Sequence, residues 1–231
     1  MAQEPILVFE NVTIEAQPPY ESGLQSVAFV LNAGELMLVR TEPGRSRFPL
    51  ADAAEGLVEP DSGRVLFAAE DWKVMPPDRQ AARRGRIGRT FEGRGWISNL
   101  DVDENITLAQ RHHTERSLEQ IELDAESLAR QFGLSGLPRM RPAALKQSDL
   151  RRAEWVRAFL GDPLLVILEQ PTRDVPADAI PALVAAIDAA RGRGAAVLWL
   201  TEDERAWSKA AGGATKRFEL SGVELVLREK E

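Results

Sequence analysis

Three short, wholly apolar runs constrain the fold of this chain more than anything else in it. Leu36 to Val39, Leu164 to Leu168 (LLVIL) and Ala195 to Leu200 (AAVLWL) contain no polar residue. A strand with one wet face alternates apolar and polar side chains. A strand that does not alternate is covered on both faces, as in a parallel sheet flanked by other layers. Residues 148–160 and 181–191 have helical spacing and supply covering layers. The expectation is an α/β fold.

The remaining segments fill in around that sheet. Residues 6–14 (ILVFENVTI) and 24–32 (LQSVAFVLN) read as strands, with turns at Gln17-Pro18-Pro19 and Asn32-Ala33-Gly34. Glu59-Pro60-Asp61-Ser62-Gly63 is a strong turn signal before a strand at 64–68. The basic run 78–86 (DRQAARRGR) reads as a solvated helix face, and 87–91 as a further short strand. From Asn99 to about Leu137 the pattern is helical. Asp101, Asp103 and Glu104 mark a start, Leu118, Ile121, Leu123, Leu128 and Phe132 are the expected apolar positions, and Gly133 is the stop. Residues 217–228 read as two strands turning at Ser221-Gly222.

Composition narrows the function. The net charge of −7 gives no general attraction to phosphate backbones, so no nucleic-acid partner is expected. The absence of cysteine excludes disulfides and thiolate chemistry. The amino terminus has no basic segment followed by an apolar one, so no signal peptide is read there. No apolar run approaches the ~20 residues that cross a bilayer.

Residues 35–50, ELMLVRTEPGRSRFPL, combine a buried strand, a turn-rich segment and an expected helix start near Ser46 or Arg47. That is the frame of the phosphate loop G-x-x-x-x-G-K-[ST], whose backbone N–H groups cradle phosphates, whose Lys reaches them and whose hydroxyl binds Mg²⁺. Here Thr41 and Ser46 stand at the two Gly positions, Arg47 at the Lys and Phe48 at the hydroxyl.

The order of sites along nearly the whole chain resembles the ATP-binding cassette (ABC) ATPases of transporters. GLVEPDSGRVLF resembles the family's strand-turn segment, and IGRTFEGRGWISNLDVDENITL its Q-loop region, with Glu92 at the Gln position. ALKQSDLRRAEWVRAFLGDPLLVILEQPT resembles the signature helix running into Walker B, and WLTEDE the switch strand, with Glu202 at the His position. The Q-loop to signature segment is most similar to the ATPase subunits of lipid-trafficking transporters that serve MCE-type proteins. The resemblance implies a P-loop NTPase-like core with a mixed sheet, an N-terminal antiparallel β subdomain and a helical subdomain. About 1–92 and 162–231 would form the core lobe, and about 93–161 the helical part.

Carried over residue by residue, the resemblance implies an altered site. Gly44 remains at a family Gly position, while Arg45 and Ser46 add side chains where the cradle should be bare. Arg47 keeps a positive charge in a different shape. Phe48 has no oxygen for Mg²⁺, Pro49 has no N–H, and Arg40 and Glu42 add charge nearby. The Walker B pair reads Glu169 and Gln170. Glu169 keeps a carboxylate for a metal, one methylene too long, the acid at Glu92 can still ligate Mg²⁺, and Gln170 cannot act as a base. Leu145-Lys146-Gln147-Ser148-Asp149 replaces the signature LSGGQ, Pro176 falls at the next loop's Asp, and Ala16 falls near the adenine-stacking aromatic, with Tyr20 as a substitute. Trp96 and Ile97 would meet a membrane-subunit helix.

The expected function is therefore a degenerate ABC-transporter ATP-binding subunit, a pseudoATPase with no catalytic group intact. Its partners would be a permease and a second ATPase subunit, in a homo- or heterodimer. It would sit peripherally on the cytoplasmic face of the inner membrane. ATP and Mg²⁺ are the ligands that the resemblance implies, and the substitutions leave neither assured. Two other readings stay open: a divergent ATPase that energises transport, of lipid in one version, and a non-transport binding module that uses the vacated cleft.

Overall fold

The computed structural model describes residues 4–42, 48–93, 95–204, 207 and 213–228. Its centre is a six-stranded sheet ordered β10-β9-β3-β8-β7-β6, built from β3 (Leu36–Arg40), β6 (Ile87–Thr90), β7 (Leu165–Glu169), β8 (Ala196–Thr201), β9 (Lys216–Ser221) and β10 (Glu224–Leu227). All neighbours pair in parallel except β10 with β9. A second, antiparallel sheet, ordered β2-β1-β4-β5, comprises β1 (Pro5–Ile14), β2 (Leu24–Asn32), β4 (Ser62–Phe67) and β5 (Glu70–Asp71).

The apolar runs behave as their composition demands. Side chains alternate across a strand, and here each parity feeds a different core. Leu36, Leu38, Val166, Leu168, Val197 and Trp199 pack against the helices. Met37, Val39, Leu165, Ile167, Ala196, Leu198 and Leu200 pack toward the antiparallel sheet. The first core is closed by α3 (Val102–His113), α4 (Leu118–Gln131), α5 (Gln147–Phe159) and α6 (Ile180–Gly192), and the second by α1 (Leu50–Ala54). α2 (Pro77–Arg84) buries no side chain, as the basic run suggested.

The helical region keeps most of its expected apolar positions, Ile121, Leu128 and Phe132, but not Leu118 and Leu123. The buried face of α4 is Ile121, Ala125 and Ala129, one turn apart, followed by Phe132. Leu118 and Leu123 stand exposed at 46% and 58%. A close approach fixes β6 against α5: a Cβ on Gly88 would lie 1.7 Å from the Ala158 carbonyl oxygen. The described first helix also begins later than expected, at Leu50, with Phe48 and Pro49 ahead of it.

Candidate functional site

The C-terminal ends of β3, β6, β7 and β8 converge, and in an open parallel sheet this edge is where ligands bind. Of the residues expected there, Gly44, Arg45, Ser46 and Arg47 lie outside the described residues. The others are placed, and most are already engaged by the chain itself.

Phe48 is buried in the second core, in the cluster that contains Met37, Val39, Leu50 and Leu200. The position that carries a metal-binding hydroxyl in the phosphate-loop pattern is thus a core aromatic. Pro49, also buried, caps α1 without a side-chain hydrogen bond.

Glu169 ends β7. On the neighbouring strand Arg89 lies opposite Ile167, so Arg89 and Glu169 share one face at a diagonal, within reach of two long side chains. The Arg89 guanidinium donates to Glu169 Oε2, at 3.0 Å from Nε and 2.9 Å from Nη2. Its Nη1 also donates to Asp52 Oδ1 at 2.6 Å and to Glu55 Oε2 at 2.5 Å. Asp52 in α1 and Glu55, which caps that helix, are three residues apart, which puts both on one side of the helical turn. Tyr20 completes the cluster by donating its hydroxyl to Asp52 Oδ2 at 2.6 Å. The side chain read as a substitute for an adenine-stacking aromatic is instead tethered to α1.

One cation shared among three anions is unbalanced. Burial works against the Arg89 charge, but Glu55, Glu169 and Asp52 outweigh it and raise its pKa. Burial also pushes the Glu169 carboxyl up to about 7, because Arg89 only partly offsets that effect while Asp52 and Glu55 add to it. Burial likewise raises Glu55. Both ends of the Arg89–Glu169 pair thus move upward, as expected where anions outnumber the cation they share.

Gln170 is buried, with a positive φ of 46°. Its Nε2 donates to Thr41 Oγ1 at 3.3 Å, and its Oε1 accepts from the Glu202 N–H at 3.1 Å. The amide needs both a donor and an acceptor for this bridge, and Gln supplies both. Thr41, at the first Gly position of the phosphate-loop pattern, is itself buried and donates its N–H to the Thr201 carbonyl at 2.9 Å.

The two acids at the Q-loop and switch positions share a cation. Arg173 Nη2 lies 3.1 Å from Glu92 Oε1 and 2.6 Å from Glu202 Oε1. It borders a cleft of about 550 Å³ that is also lined by Ser148, Gln170, Thr172, Asp174 and Asp203. Pro176 lies on the same wall.

Ser148 reaches this cleft from the first turn of α5, so the signature segment does face it. Leu145 packs against the helical core, and Lys146 caps α5 through its backbone alone. Asp149 binds Arg152 at 2.5 Å and puts a carboxylate in the helix's first turn, where an incoming anion would gain most. On the other side of the Q-loop position, Arg157 stacks between Phe91 and Trp96, at 5.1 and 4.8 Å from the ring centres. Asn105 holds the Ile97 backbone through both its N–H and its carbonyl. Ile97 is exposed and Trp96 half-buried.

The residues that organise this edge, Arg89, Arg173, Asp52 and Glu55, were missed in the sequence. A signal existed for Arg89: a lone arginine inside a short strand of a doubly covered sheet must bring its counter-charges with it. Phosphate binding would need free donors here, and metal binding free carboxylates. Among the described residues, the Glu169 carboxylate and the Gln170 amide are both committed to partners within the chain, and no group of three or more potential metal ligands is assembled.

Known proteins resemble this chain in sequence and in fold. No family model matches it. A putative hemin import ATP-binding protein of Staphylococcus haemolyticus is 25% identical over 188 residues, 81% of this chain and 85% of that protein. A ribose import ATP-binding protein of Streptomyces coelicolor is 26% identical over 77% of this chain, which spans only 34% of it. The intermembrane phospholipid transport system ATP-binding protein of Escherichia coli is 23% identical over 63% of this chain and 54% of that protein. Among solved structures, a dimeric ATP-binding cassette bound to ADP and Pi superposes with a TM-score of 0.84, 19% identity and 98% coverage of both chains. A dimeric bacterial ABC transporter cassette gives 0.83, at 19% identity over 95% of this chain and 96% of that one.

Proposed function

We propose that this chain, a homologue of the ABC-transporter ATP-binding proteins with their cassette fold, serves a transport complex as a pseudoATPase, with ATP hydrolysis lost or strongly impaired. The observation that carries this reading is the commitment of Glu169 to the buried Arg89. A Walker B carboxylate serves hydrolysis by holding the metal's shell, and here a guanidinium occupies it.

Three further features support the reading. Phe48 supplies no metal oxygen and is buried in the core. Gln170 cannot take a proton from water, and a general base is worth typically ~10²–10⁴ in rate. Glu92 and Glu202 both contact Arg173, and an ionised carboxylate has no hydrogen to donate to phosphate.

In this role the chain contributes shape rather than turnover. A second ATPase subunit pairs with it across the edge that carries Ser148 and the cleft. A permease helix docks beside Trp96 and Ile97. No described helix is long and apolar enough to cross a membrane, so the proposed attachment to the cytoplasmic face runs through that permease.

Titration of the purified chain with a fluorescent ATP analogue, with and without Mg²⁺, tests the proposal. The expected result is no Mg²⁺-dependent gain in affinity. Tight Mg²⁺-dependent binding, with phosphate release that is lost on Arg47→Ala, would overturn it.

A further inference from the structure

The six-stranded sheet ends on β10, which pairs with β9 on one side and with no described strand on the other. Arg228 donates its N–H to the Arg217 carbonyl at 2.8 Å, so these two residues form a hydrogen-bonded pair. The register continues without a bulge through Leu227↔Phe218, Val226↔Glu219, Leu225↔Leu220 and Glu224↔Ser221. Hydrogen-bonded pairs alternate along an antiparallel ladder. Glu224 and Val226 therefore also bond to β9, while Leu225 and Leu227 turn their N–H and C=O groups outward. Such an edge is a template for another strand, and native chains commonly blunt it with Lys, Pro or a bulge. Glu224–Leu227 has none of these. Val226 and Leu227 stand exposed instead, at 36% and 60%.

The edge is complementary to itself. Residues 224–228 read E-L-V-L-R, with opposite charges at the two ends. We propose that two copies of this chain join β10 to β10, antiparallel, about a two-fold axis at Val226. Glu224 then faces Arg228 of the second copy, and the symmetry makes the same contact twice. Leu225 faces Leu227 of the second copy, and these are the residues whose backbone groups point outward. A slip of one residue would set outward groups against inward ones, and a slip of two would part Glu224 from Arg228. Glu224 is exposed and has no partner of its own among the described residues. Arg228 already holds Glu219 Oε2, at 2.8 Å from Nε and 2.5 Å from Nη2, yet its side chain is 52% exposed and the guanidinium has donors to spare. The Gln25 N–H to Val223 carbonyl bond, at 2.8 Å, closes the edge just ahead of Glu224 and sets where pairing begins. This pairing extends the sheet sideways, away from the strand ends that face the proposed ATPase partner, and it does not depend on whether nucleotide binds.

Sedimentation equilibrium of the full-length chain at low salt, without nucleotide, tests the pairing. So short a strand buries little surface, so the expected dissociation constant is on the order of 0.1–1 mM. A monomer throughout that range would overturn the proposal. Leu227→Pro removes an outward N–H that β9 does not use, a place where an edge strand tolerates proline. It should weaken the dimer by about tenfold or more while the thermal midpoint stays near the wild-type value. Glu224→Arg sets like charges together and should also weaken the dimer. Mixing the Glu224→Arg and Arg228→Glu proteins makes both contacts opposite in charge again and should restore pairing. A dimer unchanged by Leu227→Pro and Glu224→Arg uses another surface and overturns the proposal, and a mixture that pairs no better than its components overturns the register. The chain has no cysteine, so Val226→Cys gives an independent reading. At the axis the two Cα atoms would lie about 4.5 Å apart, within disulfide range. Diamide oxidation should link this variant about tenfold faster than Leu123→Cys, on the exposed side of α4, and equal rates would overturn the pairing.

Discussion

Arg89 and Glu169 meet at 2.9 Å on one face of neighbouring parallel strands, with Asp52 and Glu55 closing on the same guanidinium from α1. This links the helix after the phosphate-loop position to the strand that ends in the Walker B position through a charge the chain supplies itself. Removing one partner of a buried ion pair costs about 3–5 kcal/mol, because the other charges are left uncompensated. Arg89→Ala is expected to lower unfolding free energy by an amount in that range, measured by urea denaturation. Arg89→Lys should lose most of it too, since a single ammonium cannot present the planar fork that contacts three carboxylates.

The same cluster sets a pH dependence. Glu169 has its folded pKa raised from 4.5 to about 7, and Glu55 is raised as well. A group raised on folding contributes stability that is fully present below its unfolded pKa and lost as pH rises through its folded pKa. Stability from this cluster should therefore fall between about pH 4.5 and pH 7 and level off above, while His113, held below its ordinary range by burial and by His112, acts the other way in the upper part of that window. Carboxyls lowered on folding, such as Glu35 and Glu126, act only as pH drops below that window. Glu169→Gln should flatten the slope, since its amide oxygen still accepts from Arg89. Denaturation midpoints across pH 4 to 8 check this, and an unchanged slope in the variant would place the titrating group elsewhere.

Restoring a hydroxyl at Phe48 should not restore a metal site. The ring is 6% exposed in a packed core, and cutting a buried Phe down to a small residue costs about 3–5 kcal/mol. Phe48→Ser is expected to lower the thermal midpoint without producing Mg²⁺-dependent nucleotide binding.

The register of α4 makes a contrast within one helix. Leu123→Gln is expected to change stability by less than about 0.5 kcal/mol, as for an ordinary surface position. Ile121→Ala should cost about 2–5 kcal/mol. Equal effects from the two would mean that the leucine stripe, and not Ile121-Ala125-Ala129, faces the core.

Much of the fold was legible because the signals were strong and local. Runs such as LLVIL and AAVLWL are short, wholly apolar and include β-branched residues, which favours strands covered on both faces, and the structure divides their side chains between two cores by parity. Where the sequence misled, hydrophobicity alone did not resolve the outcome. Leu123 lies two residues from Ile121, on the opposite side of the helix, and Leu118 is the first residue of α4, so both stand exposed while Ile121, Ala125 and Ala129 form the buried face. The two-residue strand Glu70–Asp71 carried no signal, since pairing with β4 defines it. At the site, the sequence showed which family positions had changed. It did not show what the replacements do, because Arg89, Arg173 and Thr41 act on partners distant along the chain: Glu169 is 80 residues from Arg89, and Gln170 is 129 from Thr41. Contacts at such separations follow from topology and not from local pattern.

The central claim is that the cassette has given up Mg-ATP chemistry while keeping its architecture. Steady-state phosphate release by the purified chain, with ATP and Mg²⁺ in excess, measures this directly. The account predicts release indistinguishable from a protein-free blank, and no change on Gln170→Glu, because Glu169 stays bound to Arg89 and Phe48 still offers no oxygen. Turnover above the blank that requires Mg²⁺ and disappears in Arg47→Ala would contradict it.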